Sequence, residues 1–544
     1  MNVLSRAASV ALKLPKPKYR SLRIQRDLPV TMPDGAVLLA DRHAPARRLN
    51  APIILARCPY GRRRLDVLWQ VLAAQGYQVV AQSCRGTFGS MGHFEPFRNE
   101  AADGAATLEW LAAQPWFTPN VITFGPSYLG LTQWSIAADA PEWLRGMAIS
   151  ISGTNFRDSV VYPGDAFGLE LATTWITTLE NQEQGLVSSL LGQRRVLRRK
   201  PGAELALPIS TADTKLVGRS VSYFRDWIDH DQPGDQYWEP IDFSAAIDGE
   251  STLPTISMLA GWYDIFADQQ LADFTALQRA GRPARIVVGP WFHGQPASMG
   301  VIIKDALALA ADVFEGRPRL GEPVQVLVTG EDKWRGLAQW PPPSVPMKRY
   351  LSANRALQVE PADGSPIRFT YDPANPTPVT GGRLLDTKQA GPKDQQPREI
   401  RSDVVSFTSK ILDRDITAIG LAQVELQLRT SHAYRDLFVR LCDVDSDGVS
   451  INICDFGRRL SPASDDIDNL GEGRFAVSLT LTGMAHTFRA GHAIRLQVSA
   501  GAHPSMSRNP GTGEPLATAT HLESIDYELF FGEHSSLQLP MVTD

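Results

Sequence analysis

Val121-Ile122-Thr123-Phe124-Gly125-Pro126-Ser127-Tyr128-Leu129-Gly130 reads as a strand, a sharp turn and a helix, with a serine at the apex. β-Branched and aromatic side chains fill the first four places, and a helical pattern runs from Tyr128 to about Ala138. A serine at such a turn is held in a strained backbone with its hydroxyl pushed out of the fold. The N–H of the next residue, Tyr128, points into the same space and can hold a developing oxyanion. Strand and helix nearly touch there, so small residues must flank the apex, and Gly125 meets that need before the serine. The usual motif has glycine two places after the serine. Here Leu129 stands there and Gly130 follows one place later. An ordinary strand-to-helix turn with a serine N-cap looks the same, so partners elsewhere in the chain must decide.

Outward from this run the chain keeps a strand–helix rhythm. Upstream, Arg26 to His43 reads as a hairpin lead-in turning at Pro33-Asp34-Gly35. Pro52 to Ala56 is a short apolar run, as expected of a strand buried on both faces. Leu65 to Gln75 is helical, Tyr77 to Gln82 is a strand, Glu100 to Gln114 is helical and Met147 to Ile151 is again a strand. Repeated units of this kind predict a parallel sheet with helices on both faces, an α/β fold. From about Asn155 to Ile247 strand signals stop, and Leu169 to Leu179 and Val187 to Val196 look helical, which predicts a cap inserted over the sheet. The cluster Arg194, Arg195, Arg198, Arg199, Lys200 reads as a solvated helix face. The sheet resumes at Pro254 to Ala260, followed by a helix over Phe266 to Ala280 and a strand over Ala284 to Val288. Trp340-Pro341-Pro342-Pro343 is stiff and marks a boundary. Beyond it apolar residues alternate, as in Val424, Leu426, Leu428 and Phe475, Val477, Leu479, Leu481, which predicts an all-β sandwich of jelly-roll type. The expected division is 1–154 and 248–345 for the α/β part, 155–247 for the cap and 346–544 for the sandwich.

At 544 residues the chain is too long for one core. A hydrophobic fraction of 43% with 21% charged residues reads as soluble and globular. The net charge of −5 is mild for this size, and no long basic run argues for nucleic acid. Cys58, Cys84, Cys442 and Cys454 form no C-x-x-C pair, so a zinc site is not expected, and a reducing compartment fits. The stretch Met1 to Leu14 is a poor secretory signal and too short to span a bilayer, so a cytoplasmic location is expected.

A serine nucleophile needs a base, and the base needs an orienting acid. In an α/β-hydrolase the chain order is Ser, acid, His, with the last two on loops after late strands. The two late strands end in Gly261-Trp262-Tyr263-Asp264 and Gly289-Pro290-Trp291-Phe292-His293-Gly294. Asp264 and His293 therefore leave the carboxyl edge of neighbouring strands, the edge from which Ser127 projects. Taken singly, Asp264 could cap the helix after it and His293 could be a packed loop histidine. Order, strand-end placement and spacing together predict a Ser127–His293–Asp264 triad in an α/β-hydrolase fold.

These residues resemble the CocE/NonD family of serine esterases, related to the X-Pro dipeptidyl-peptidases. The matching pieces are Gly125-Pro126-Ser127-Tyr128-Leu129-Gly130, Gly261-Trp262-Tyr263-Asp264 and Val287-Val288-Gly289-Pro290-Trp291 with His293. Ser83-Cys84-Arg85-Gly86 is similar to the family's D-x-R-G loop with Ser83 in its first place, and Tyr371 to Pro376 with Gly381-Gly382 is similar to its sandwich signature. The family carries its second glycine one place later, which accounts for Leu129. The resemblance implies an oxyanion hole made by the Tyr128 N–H and by a tyrosine hydroxyl in Arg57-Cys58-Pro59-Tyr60-Gly61, that is, Tyr60. It also implies a substrate pocket holding Trp175 from the cap, Phe266 just after Asp264, and Leu385 from the sandwich. Relatives that cleave α-amino acid esters carry acids just after the triad aspartate. Here those places hold Phe266 and Ala267, and the first acid is Asp268. Asp386, beside Leu385, would select a cationic substrate if it reached the pocket; it is expected instead on a solvated turn.

The resulting expectation is a serine carboxylesterase acting through an acyl-enzyme on small esters with an apolar or aryl acyl group. An X-Pro dipeptidyl-peptidase or amidase on the same triad is the alternative, and an inert hydrolase part serving a sugar-binding sandwich is a rival of another class. No cofactor or metal is expected. The expected partner is a small-molecule ester, with no nucleic acid and no membrane; the sequence leaves homo-oligomerisation open.

Overall fold

A computed structural model describes residues 1–48, 50–182, 186–249, 253–464 and 467–542. Ten strands form one sheet: β1 (Leu22–Thr31), β2 (Val37–Pro45), β3 (Ile53–Cys58), β4 (Gln78–Ser83), β5 (Val121–Pro126), β6 (Leu144–Ser150), β7 (Thr255–Tyr263), β8 (Ala284–Phe292), β9 (Val324–Val328) and β10 (Lys333–Leu337). Their order is β1-β2-β4-β3-β5-β6-β7-β8-β9-β10. Strands β4 to β9 along that order are parallel, and antiparallel hairpins close both edges. The apolar runs divide by the two-residue period of a strand. Ile54, Ala56, Ile122 and Phe124 join one core, while Ile53, Leu55 and Val121 join the core on the opposite face.

Between β6 and β7 the chain makes helices, chiefly Leu169–Asn181, Leu186–Glu204, Ala212–Val217 and Ser222–Asp229. Trp175, Ile176, Leu179 and Trp227 of this cap belong to the same apolar cluster as Ile122 and Tyr128 of the sheet. The cap is therefore packed on the sheet through a shared core. The basic cluster divides. Arg194, Arg198 and Arg199 are exposed, but Lys200 turns inward and pairs with Glu170 at 3.4 Å. The side chain of Arg195 lies outside the described residues.

From Val345 onward the structure is β, and the one helix among its described residues is the single turn Gln396–Glu399. The long strands Ile416–Thr430 and Arg474–Phe488 pair antiparallel and turn Val424, Leu426, Leu428, Val477 and Leu479 into one core. Trp340, at the Pro-rich boundary, is 3% exposed and packs on Trp262 with ring centroids 5.7 Å apart. The connector is thus wedged between the two parts.

Four features go beyond or depart from the expected elements. A helix forms over Val3–Ala11, a long helix over Pro296–Glu315 follows the histidine loop, and β9 with β10 extends the sheet. The helix after Ser127 stops at Trp134, short of Ala138, because Ile136 and Ala137 bond back three residues and tighten the chain into turns. No helix among the described residues is long and apolar enough to cross a membrane. All four cysteines are free and buried.

Candidate active site

Ser127 takes φ 59° and ψ −126°, a region L-residues avoid. Its N–H donates to the Ser150 carbonyl at 3.0 Å, which ties the strained turn to β6. A Cβ on Gly125 would lie 2.2 Å from Cβ of Leu129, and one on Gly130 would lie 2.3 Å from Cβ of Ser152. The close approach on the helix side thus falls on Gly130, which is why Leu129 fits two places after the serine.

His293 Nε2 lies 2.9 Å from Ser127 Oγ. Its Nδ1 lies 2.9 Å from Asp264 Oδ2. The other carboxylate oxygen, Oδ1, accepts the Phe266 N–H at 2.9 Å. Asp264 therefore holds the turn into its own helix and meets the imidazole at once; its two ordinary fates coexist because a carboxylate has two oxygens. Asp264 is fully buried and His293 is 8% exposed. A hydroxyl joined to an imidazole that is oriented by a buried carboxylate is the arrangement in which the imidazole can take the hydroxyl proton.

Tyr60 follows β3, and Trp175 Nε1 donates to its hydroxyl at 3.4 Å. Burial pushes its pKa up to about 12, against smaller opposing effects of Trp175 and Ser127, so it stays a phenol at neutral pH. Tyr128 is the first residue of its helix, where the backbone N–H has no acceptor within the helix. Its phenol is anchored away from the reacting oxygen. It donates to Glu100 Oε1 at 2.8 Å and accepts the Phe97 N–H at 3.0 Å. Arg57 donates to Glu100 Oε2 at 2.5 Å, and all of these side chains are buried. This Arg57–Glu100–Tyr128 chain fixes the residue that follows Ser127. It escaped the sequence reading because Glu100 looks like any acid in a first helical turn.

The serine opens on a cavity of about 340 Å³. Trp175, Phe266 and Leu385 all line it. Trp175 stacks on Trp227 with centroids 5.7 Å apart, and Phe266 lies 5.8 Å from the His293 ring. Further walls come from Leu65, Leu68, Phe97, Phe156, Leu171 and Met299, and no Asp, Glu, Lys or Arg is among the described lining residues. Asp268 lies outside it and pairs with Arg383. Asp386 also lies outside; its carboxylate accepts the Lys388 N–H at 3.0 Å and caps a local turn.

Leu385 reaches the cavity because Glu170 holds it there. Glu170, on the cap helix and 4% exposed, accepts the N–H groups of Leu385 at 3.0 Å and Asp386 at 2.9 Å. The Thr174 hydroxyl donates to the same carboxylate at 2.7 Å. No sequence signal marks this contact, since Glu170 and Leu385 are far apart along the chain.

A family model described as X-Pro dipeptidyl-peptidase (S15 family) matches residues 34–295, and one described as the X-Pro dipeptidyl-peptidase C-terminal non-catalytic domain matches residues 320–535. The chain is 30% identical over 538 residues to the cocaine esterase of Rhodococcus sp. (strain MB1 Bresler), a match spanning 90% of this chain and 92% of that protein. Among solved structures, an α-amino acid ester hydrolase aligns with TM-score 0.81 at 20% identity, over 96% of this chain and 97% of that one. A CocE/NonD family hydrolase from Staphylococcus aureus aligns with TM-score 0.69 at 17% identity, over 96% of this chain and 94% of that one. The two structural likenesses bear on the fold.

Proposed function

The chain belongs to the CocE/NonD and S15 family of serine hydrolases, and from that premise we propose a carboxylesterase in which Ser127, His293 and Asp264 are the catalytic triad. Ser127 Oγ attacks the ester carbonyl carbon while His293 Nε2 takes its proton. The carbonyl oxygen becomes an oxyanion held by the Tyr60 hydroxyl and the Tyr128 N–H. His293 then gives its proton to the leaving alcohol, and Asp264 stabilises the imidazolium throughout without itself taking a proton. Water, activated by the same imidazole, releases the acid from the acyl-enzyme.

One observation carries this reading: the 2.9 Å contacts from Ser127 to His293 and from His293 to Asp264 open on an apolar cavity. The walls favour an apolar or aryl acyl group, because a charged group would lose its hydration there without a partner. The same feature weighs against a dipeptidyl-peptidase, which needs an acidic anchor for a free ammonium.

A fluorophosphonate probe tests the chemistry: it labels the wild type and fails on Ser127→Ala. Labelling of that variant, or none of the wild type, removes the serine mechanism. Comparing p-nitrophenyl acyl esters with X-Pro-p-nitroanilides tests the substrate, and faster anilide cleavage would replace the ester reading by the peptidase one.

A further inference from the structure

The helix Val3–Ala11 is packed inside out. Ser5 and Ser9 are buried, while Val3, Leu4 and Val10 are 77%, 69% and 78% exposed. At 100° per residue Val10, Val3, Ala7, Ala11 and Leu4 make one continuous apolar arc about 120° wide, and each member is exposed. The inward face is polar and small. Ser5 Oγ donates to Asn2 Oδ1 at 2.7 Å, Ser9 Oγ donates to the Ser5 carbonyl at 3.0 Å, and the Asn2 N–H donates to Gln70 Oε1 at 2.8 Å. The N-cap of the helix is thus moored to the helix Asp66–Ala74 by one hydrogen bond, and the helix's apolar side is left in solvent. The segment after it is pinned as well: Lys18 and Tyr19 N–H donate to the Ala74 carbonyl, each at 2.9 Å, and Gln75 Nε2 donates to the Pro15 carbonyl at 2.8 Å.

Charge on this segment has one sign. Arg6, Lys13, Lys16, Lys18, Arg20 and Arg23 are all exposed, and the first acid in the chain is Asp27. The neighbouring Asp66 is engaged by Arg26 and by Gln70 Nε2 at 2.6 Å. An apolar arc beside clustered cations matches the interface of an anionic bilayer, where acyl chains receive the first and headgroup phosphates the second. A nucleic acid would reward the cations alone.

We propose that residues 3–23 dock this protein on anionic lipid surfaces, with Val3, Leu4 and Val10 entering the headgroup boundary and the Lys and Arg side chains meeting the phosphates. This departs from the expectation of no membrane partner, which rested on the lack of a spanning segment. The surface lies next to the apolar cavity: Leu65 and Leu68 of the cavity wall begin the helix that moors this arm, and the Leu12 carbonyl packs on Gly300 of the helix whose Met299 also lines it.

Cosedimentation of the full chain with vesicles tests this, using phosphatidylcholine alone and phosphatidylcholine with about one-quarter phosphatidylglycerol. Binding to the anionic vesicles is expected to be roughly tenfold tighter or more at low salt, and to weaken at least about fivefold near 0.5 M salt. A Val3→Ser, Leu4→Ser, Val10→Ser variant should lose about fivefold, and a Lys13→Glu, Lys16→Glu, Lys18→Glu variant about tenfold. Both should melt and hydrolyse a soluble ester as the wild type does. Equal binding to the two vesicle types overturns the proposal. So does an apolar-arc variant that binds like the wild type, or tighter binding to duplex DNA than to the anionic vesicles, which would make the surface a plain polycation.

Discussion

The proposed reacting centre and the cavity around it are built in opposite ways. Ser127, Asp264 and His293 stand at the ends of β5, β7 and β8 in one sheet, and strand register alone brings them together. The pocket takes Trp175 from the cap, Phe266 from a sheet-side loop and Leu385 from the sandwich, so its shape depends on how three parts dock. Under the proposed function, chemistry is thus seated on a single sheet, and the choice of substrate on the joints between parts. Changes at the strand ends should act on kcat whatever the ester, whereas changes at the joints should act unequally across esters.

The sharpest break would come from Asp264→Asn. Loss of the buried carboxylate leaves His293 in the wrong tautomer, so kcat should fall on the order of 10⁴-fold for every ester while KM moves little. A fall confined to bulky esters would make Asp264 a part of the pocket. Tyr60→Phe comes next. Losing one oxyanion donor should lower kcat about 10²- to 10³-fold with little change in KM, read by steady-state kinetics on a single p-nitrophenyl ester. Unaltered activity would remove Tyr60 from the site. Because burial pushes the Tyr60 pKa up to about 12, wild-type kcat should also show no loss assignable to this phenol between pH 8 and about 10.

At the joints the effects should be smaller and selective. Leu385→Ala should lower kcat/KM for long-chain or aryl esters by about tenfold and leave acetyl esters within about twofold. Glu170→Gln keeps one acceptor of two and should follow the same pattern only a few-fold, since it touches Leu385 and not the substrate. A uniform loss across acyl groups would make Glu170 merely structural. The smallest effect on activity concerns the sheet edge. His43 is fully buried, and burial holds its pKa near 4, below the ordinary 6.5. The unfolded chain binds this proton below pH 6.5 and the folded chain does not until about pH 4, so stability is lost as pH falls through that window. Thermal melts from pH 7 to 4.5 should show the decline, worth at most about 3 kcal/mol from this group, and His43→Gln should flatten it.

The same contrast separates what could be read in the chain from what could not. Strand ends are legible because a strand announces itself locally, by four to six apolar residues and a Gly-rich stop, and parallel strands put their ends on one edge. Gly261 to Asp264 and Gly289 to His293 carry that signal. The Arg57–Glu100–Tyr128 chain, the Glu170 clamp and the inward turn of Lys200 carry none. Each is one polar side chain in an ordinary strand or helix, whose partner lies elsewhere in the chain. The inverted helix Val3–Ala11 shows the same limit from the other side, since its pattern fixes a helix and not which face is buried.

The sequence by itself determined the parallel sheet, the order of serine, acid and histidine along it, and the β character of the second half, because backbone period and turn chemistry are local properties. Tertiary structure alone decided which residues wall the cavity, which carboxylates are neutralised by cations or turns, and which face of the first helix meets solvent. Most of those depend on contacts between segments tens to hundreds of residues apart, and no local pattern encodes which of many compatible surfaces will meet.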